Sequence, residues 1–259
     1  MVNLIRENRD RINNVLSILV FLAIWEIFSR FIATNMKIFP PPSIVGQELW
    51  RMVESGMLVE DMWASVKRSL AGFALGSTIA IVIGLLTGRI PFIRALLEPV
   101  IQLFRPIPSI AFVPLSLFWF GLGESSKVFL ITYGVFFPVW LNTHVGVSTV
   151  DPVLIRAARS LGCEGRRLFT RVILPASIPF VVAGLRVGIA VAFIVLVAAE
   201  MLGASAGVGF RIGQSHEVYR ADRMMVGLLT LGVMGGLADS LFAIASKKIV
   251  FWTGEARRE

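Results

Sequence analysis

Long apolar runs alternate with short polar segments along this chain, and six of the runs are long enough to cross a bilayer, which takes about 20 helical residues. They cover residues 15–32, 70–87, 97–120, 128–145, 176–201 and 224–246. None has the polar stripe that a surface helix of a soluble protein turns to water. The pattern therefore predicts an all-α polytopic membrane protein with six transmembrane helices. Between the first and second runs lies Phe39-Pro40-Pro41-Pro42-Ser43, whose prolines fix φ and forbid a helix. A helix over 44–57 is predicted next, with Ser43 as its cap. Trp50 on it, and Trp63 nearby, suit a membrane–water interface. The chain reads as one transmembrane domain, 1–259. It divides into an N-terminal span at 1–34, an extracytoplasmic hinge and interfacial helix at 35–62, and a five-helix core at 63–250 that includes a loop at 151–175.

Two runs carry irregularities. The second has Gly72, Gly76, Gly84 and Gly88 at small-xxx-small spacing, which lets helices approach closely; glycine is also simply common in membrane helices. The third contains Pro99, Pro106, Pro108 and Pro114. So many breaks predict a bent or partly unwound helix, whose freed carbonyls must face protein or a water-filled cavity.

Charge then orients the chain. The net charge is +8, but its placement argues against nucleic-acid binding. Arg6, Arg9 and Arg11 precede the first run, and Arg89 and Arg94 follow the second. Arg156, Arg159, Arg166, Arg167 and Arg171 separate the fourth from the fifth, and Lys247, Lys248, Arg257 and Arg258 follow the sixth. With six spans all four segments fall on one side, which the positive-inside rule makes the cytoplasm, together with both termini. The basic N-terminus followed by an apolar run is not read as a signal peptide. The run is too long, and 31–35 offers no small-x-small cleavage site. The single cysteine, Cys163, excludes an internal disulfide.

The basic segment L-I-R-A-A-R-S-L-G-C-E-G-R-R-L-F-T-R-V-I-L-P, 154–175, is itself patterned for helix. Asp151-Pro152 is a start signal, with Asp as cap and Pro at the first helical position. Leu154, Ala157, Ala158 and Leu161 recur at helical spacing as a small apolar stripe. Gly162 breaks the helix, and a second short helix is predicted through 164–170, with Pro175 and Pro179 framing entry into the fifth span. Two short helices at an angle make a rigid lever. This segment resembles the "EAA" loop (E-A-A, three residues, G, nine residues, I-x-L-P) of permease subunits in bacterial ABC importers. Ala157, Ala158, Gly162, Leu174 and Pro175 fall on the pattern; Val172 stands at the usual Ile, and Arg156 at the usual Glu. Further segments resemble the branch of these permeases that serves taurine, aliphatic sulfonates, nitrate, bicarbonate and some vitamin precursors. They are Arg105-Pro106-Ile107-Pro108, Trp119-Phe120-Gly121-Leu122-Gly123-Glu124, Gly184-Leu185-Arg186 and Val197-Ala198-Ala199-Glu200-Met201.

The resemblance implies a type I ABC importer permease fold, and a permease homodimer (or a pair with a related chain) in membrane lipid. Two ATP-binding subunits would hold ATP and Mg, and an extracytoplasmic solute-binding protein would deliver the solute. The chain itself has no G-x-x-x-x-G-K-[ST] phosphate loop, so an ATP-hydrolysing module must be another chain; this one is expected to bind no cofactor and to catalyse no reaction. The ATPase-coupling residues would be Arg156, Ala157, Ala158, Ser160, Leu161, Gly162, Cys163, Glu164, Gly165, Arg166, Leu174 and Pro175.

Charges within the spans are costly and mark pathways or internal pairs. Glu26, Arg105, Arg186, Glu200 and Asp239 are the candidates. Arg105 and Arg186 could fork onto a passing anion, with Pro106 and Pro108 beside the first; a structural ion pair is the plainer role for either. Glu200 could gate against Lys127 or Arg211. Asp239 needs a partner, either Ser240 or an arginine of another helix. His144 and His216 form no metal-ligand grouping, and Tyr133, Phe136, Phe137 and Trp140 read as packing of the fourth span. The implied function is ATP-driven import of a small anion: an alkanesulfonate or taurine, nitrate, or bicarbonate. A thiamine-pyrimidine or riboflavin-type precursor is the alternative. An ATP-independent channel or carrier would want two pseudo-symmetric halves, and an intramembrane enzyme a paired nucleophile and base; neither pattern is present.

Overall fold

A computed structural model describes residues 2–31 and 38–249. Among these residues every regular element is helical. They are α1 (Val2–Phe31), α2 (Pro42–Glu54), α3 (Met57–Arg89), α4 (Pro91–Phe104), a 3-10 turn (Ser109–Phe112), α5 (Val113–Phe120), α6 (Glu124–Ser148), α7 (Pro152–Ser160), α8 (Gly165–Leu168), a π turn (Phe169–Ile173), α9 (Leu174–Gly203), α10 (Val208–Glu217) and α11 (Ala221–Ile249). Four stretches are long and apolar enough to cross a membrane: Met57–Arg89, Glu124–Ser148, Gly165–Gly203 and Ala221–Lys248. A fifth is the bent pair Pro91–Phe104 plus Ser109–Phe120. α1, with Leu16, Phe21, Ile24 and Phe28 exposed, precedes them and completes six. Lys37, Arg257, Arg258 and the rest of 32–37 and 250–259 lie outside the described residues.

The core is α3 on α6 on α9. Ile131, Val135, Val139, Trp140, Ala192 and Leu196 are all fully buried there with Ala80. In a membrane such packing is driven by close van der Waals contact rather than by expulsion of water, and the glycines of α3 supply the closeness. A Cβ at Gly72 would lie 2.5 Å from the Cβ of Ile131, and one at Gly84 2.7 Å from that of Thr143. At Gly76 it would meet the Thr132 carbonyl at 2.7 Å, and at Gly88 the Val147 Cβ at 2.7 Å. All four glycines therefore face α6, and the spacing is a packing seam rather than a compositional accident.

Two expectations change in detail. The interfacial helix runs Pro42–Glu54 rather than 44–57, because Gly56 turns the chain at φ +75 and Met57 already belongs to α3. Ser43 does not cap it; the N-cap is Pro41, with no side-chain bond. The Ser43 N–H and hydroxyl instead donate to Glu26 of α1 at 3.0 and 2.8 Å, and Arg30 closes the cluster on Glu26 at 2.5 Å. The proline hinge is thereby clamped to α1, with Phe39 against Trp25 and Phe28. The bend expected in the third run is present: α4 and the turn leading into α5 diverge by 85° at residues 105–108. One helix, α10, lies in what the sequence presents as a loop. It buries Val208 and Ile212 against α11 and α3, and Ile212 fills the space that Gly227 leaves open.

Candidate functional site

The basic loop is built from α7, α8 and the π turn. α7 begins where the sequence indicates: Asp151 accepts from the Val153 N–H at 2.7 Å, with Pro152 in the first turn. It ends in a Schellman motif. The Gly162 N–H donates to the Arg159 carbonyl and the Cys163 N–H to the Ala158 carbonyl, both at 2.9 Å, with Gly162 at φ +77. The stripe read from the sequence is divided between two faces. Ile155 and Ala158 pack with Leu168, Ile173, Val147 and Leu85, which seats the loop on the ends of α3 and α6. Leu154, Ala157 and Leu161 point outward, and Leu161 is 87% exposed. Arg156, Ser160, Glu164, Gly165 and Arg166 are exposed around them, while Cys163, Leu174 and Pro175 are half-buried.

The second short helix is not a separate limb. α8 has only four residues, and the π turn carries it without a break into α9, so that Gly165–Gly203 is a single helical run. A π turn admits an extra residue into the helical ladder and occurs mainly as a single-turn bulge inside α-helices, often at functional sites.

At the opposite end of the bundle, acidic side chains are buried and paired. Glu200 is fully buried. It accepts from Arg68 Nη1 at 2.7 Å, from the Ser65 hydroxyl at 2.9 Å and from the Gly209 N–H at 2.9 Å. Its partner is thus Arg68 of α3, not Lys127 or Arg211. Arg68 forks at the same time onto Glu124 at the start of α6, at 2.5 and 2.7 Å. Lys127 donates to the carbonyls of Leu122 and Gly123, and Arg211 pairs with buried Asp61 at 2.8 Å. Buried Glu48 of α2 receives Arg223 at 2.6 Å and Arg220 at 3.0 Å, tying α2 to the start of α11. Arg220, outside the spans, is held protonated above its ordinary range, first by its hydrogen bonds to Asp222 and then by Glu48. Glu48, Asp61, Arg68 and Arg211 all lie outside the six apolar runs, where the hydropathy pattern draws no attention to them. The available signal is that Asp61, Ser65 and Arg68 recur at helical spacing on one face of α3.

The remaining pathway candidates are spread apart. Arg105, Pro106 and Pro108 form the sharp bend between α4 and the 3-10 turn, where Arg105 is exposed. The Phe104 carbonyl at the bend accepts from the Ile107 N–H at 3.1 Å and also from the Tyr133 hydroxyl of α6 at 2.8 Å, so Tyr133 does more than pack. Arg186 of α9 forks onto Asp239 of α11 at 2.7 and 2.8 Å, which answers the requirement of Asp239 for a partner. None of these residues lines the shallow depression of about 590 Å³ on α2, bounded by Ser43, Gly46, Gln47, Trp50, Arg51 and Glu54.

Membrane-spanning helices and a structured basic loop make this a polytopic membrane protein. Residues 76–251 match the family model for the binding-protein-dependent transport system inner membrane component, and the chain belongs to that family. It is similar to a probable ABC transporter permease protein of Brucella abortus (strain 2308), at 37% identity over 94% of this chain and 96% of the relative. A putative aliphatic sulfonates transport permease protein of Bacillus subtilis is 33% identical over 90% and 84%. The taurine transport system permease protein of Escherichia coli is 32% identical over 92% and 88%. Among solved structures, an inward-facing MetNI methionine ABC transporter shares the fold. It matches at a TM-score of 0.62 and 20% identity, over 76% of this chain and 96% of that one. The chain is therefore an ABC importer permease, a multi-pass inner-membrane transport subunit and not an enzyme. The family works with ATPase subunits and a binding protein.

Proposed function

We propose that the chain forms the translocation path of an ATP-driven importer for a small anion, with an alkanesulfonate such as taurine first among the choices and nitrate or bicarbonate next. Two copies (or this chain and a related one) assemble with two ATPase subunits, which bind ATP and Mg. A binding protein delivers solute on the side of the buried acidic network. Both termini and the loop 151–175 are cytoplasmic, following the positive-inside rule.

The observation that carries the reading is the outward face of α7. Leu154, Ala157 and Leu161 are exposed among arginines on a loop that is otherwise firmly seated. An apolar tip on a rigid base suits a cleft on a cytoplasmic partner, where a closing ATPase dimer would bias inward- against outward-facing packings. The core of 63–250 would move, while α1 and α2 brace it. The sulfonate and taurine relatives support the choice of anion.

The test is uptake of labelled taurine, an alkanesulfonate, nitrate, bicarbonate and a thiamine precursor in cells with and without the gene, its neighbouring subunits intact. Loss of one anion's uptake on deletion, restored by the gene and stopped by vanadate, is the expected result. Loss of the thiamine precursor alone would overturn the anion assignment, and vanadate-resistant uptake the ATP-driven one.

A further inference from the structure

The Arg186–Asp239 pair is in an unusual place for an ion pair. Arg186 lies about 18 Å along α9 from Leu174, and Asp239 about 15 Å along α11 from Ile249, at 1.5 Å per residue. Both are therefore well inside apolar helices. Yet in the protomer Arg186 is 58% and Asp239 41% exposed. The large exposed side chains along the same stretches of the two helices are apolar: Val187 and Ile194 on α9, Leu237, Leu241 and Ile244 on α11. Glu200 and Asp61, by contrast, are buried near the ends of their helices. Charged groups at the depth of Arg186 and Asp239 face a bundle interior or a water-filled cavity rather than lipid.

The hydrogen bonds define what the pair can do. The Nε and Nη2 of Arg186 are the fork edge, and both are engaged by the two oxygens of Asp239. A sulfonate, nitrate or carboxylate presents the same pair of oxygens to a guanidinium. Asp239 thus holds the place of such a group, on a side chain that is itself accessible.

We propose that Arg186 is an anion-contact site on the wet wall of the translocation path, and that Asp239 is its exchangeable counter-ion. In the empty path Asp239 neutralises Arg186, so no bare charge stands in the membrane. A passing anion takes the fork, Asp239 is released to water, and the pair re-forms when the anion leaves. Binding by exchange is weak by construction, because every hydrogen bond from Arg186 to the anion replaces one already made to Asp239; a transported solute needs this. The proposal rests on the anion reading above and locates where the anion is handled.

The experiment uses the whole transporter in membranes. Ala183→Cys and Ala190→Cys each place a thiol on the exposed face a turn to either side of Arg186, and the labelling of native Cys163 in the wild-type transporter is subtracted as background. Val82→Cys on the exposed face of α3 serves as the lipid-facing reference. Charged methanethiosulfonate reagents should label positions 183 and 190 much faster than 82, and taurine should slow that labelling. Rates at 183 and 190 as slow as at 82 would overturn the wet wall. The second arm exchanges the charges, Arg186→Asp with Asp239→Arg. A merely structural pair predicts that taurine uptake is restored by the exchange relative to either single change, which would overturn the proposal. The expected result is normal membrane level with uptake about tenfold or more below wild type, the scale of a lost charge-assisted hydrogen bond. Wild-type transporter that carries no anion at all would remove the underlying reading. Normal anion uptake with a dry or swap-tolerant pair would remove this site alone.

Discussion

Arg68 Nη1 donates to Glu200 Oε1 at 2.7 Å between α3 and α9, with Arg68 only 6% exposed and Glu200 wholly enclosed. The same guanidinium reaches the Ala206 carbonyl at 2.5 Å and the Glu124 carboxylate, so one side chain joins α3, α6, α9 and the turn into α10. Removing it strands a buried carboxylate. Arg68→Ala is expected to destabilise the protein by about 3–5 kcal/mol, the cost of breaking a buried pair from one side. Thermal unfolding of the purified protein in detergent, against Arg51→Ala on an exposed partner of Glu48, measures the difference.

The seam between α3 and α6 tolerates no added atom. At Gly76 a Cβ would press on the Thr132 backbone carbonyl, which has no rotamer to yield. Gly76→Ala should therefore cost about 1–3 kcal/mol, in the range of overpacked cores. Gly46→Ala, with nothing within 4 Å, should be neutral or slightly stabilising. Paired melting curves decide it.

Gly162 is a separate case, since no atom crowds it and only its left-handed φ of +77 requires glycine. A β-branched residue there loses roughly 1–2 kcal/mol of local conformational energy and re-aims the tip of α7. Gly162→Val is expected to abolish vanadate-sensitive uptake with membrane insertion intact, and Gly162→Asn, which accepts this conformation better, to retain part of it. Wild-type uptake by the valine variant would defeat the lever.

Leu161 makes a complementary test because it is exposed and holds nothing up. Leu161→Asp should leave stability within about 0.5 kcal/mol of wild type in a melting experiment, as for an ordinary surface change. ATPase subunits should no longer co-purify, and uptake should fall. Arg156→Glu, at another exposed position of α7, should have little effect on either.

The parts of the fold that are legible in the sequence are those governed by local rules. The Asp151-Pro152 start and the Gly162 stop of α7 follow from capping and φ alone, and the apolar runs mark α3, α6, α9 and α11. What sequence reasoning misses depends on partners distant along the chain. The Arg68–Glu200 pair joins residues 132 positions apart, and nothing near either one names the other. Ser43 looks like a cap because capping is local, whereas its actual acceptor, Glu26, belongs to another helix. The division of the α7 stripe has the same origin, since which of its side chains faces inward depends on Leu85 and Val147.

The unbroken run from Gly165 to Gly203 has a mechanical consequence. At 1.5 Å per residue it is a rod about 58 Å long, with the basic loop at one tip and Glu200 near the other. The π turn, Pro175 and Pro179 all lie in its first turns, and from Phe180 to Gly203 the helix carries no proline. A tilt of only about 5° about the loop end sweeps the far end through roughly 5 Å, close to one helical pitch. Through Glu200, Arg68 and the α3–α6 seam, such a tilt would carry the neighbouring helices with it at the opposite end of the bundle.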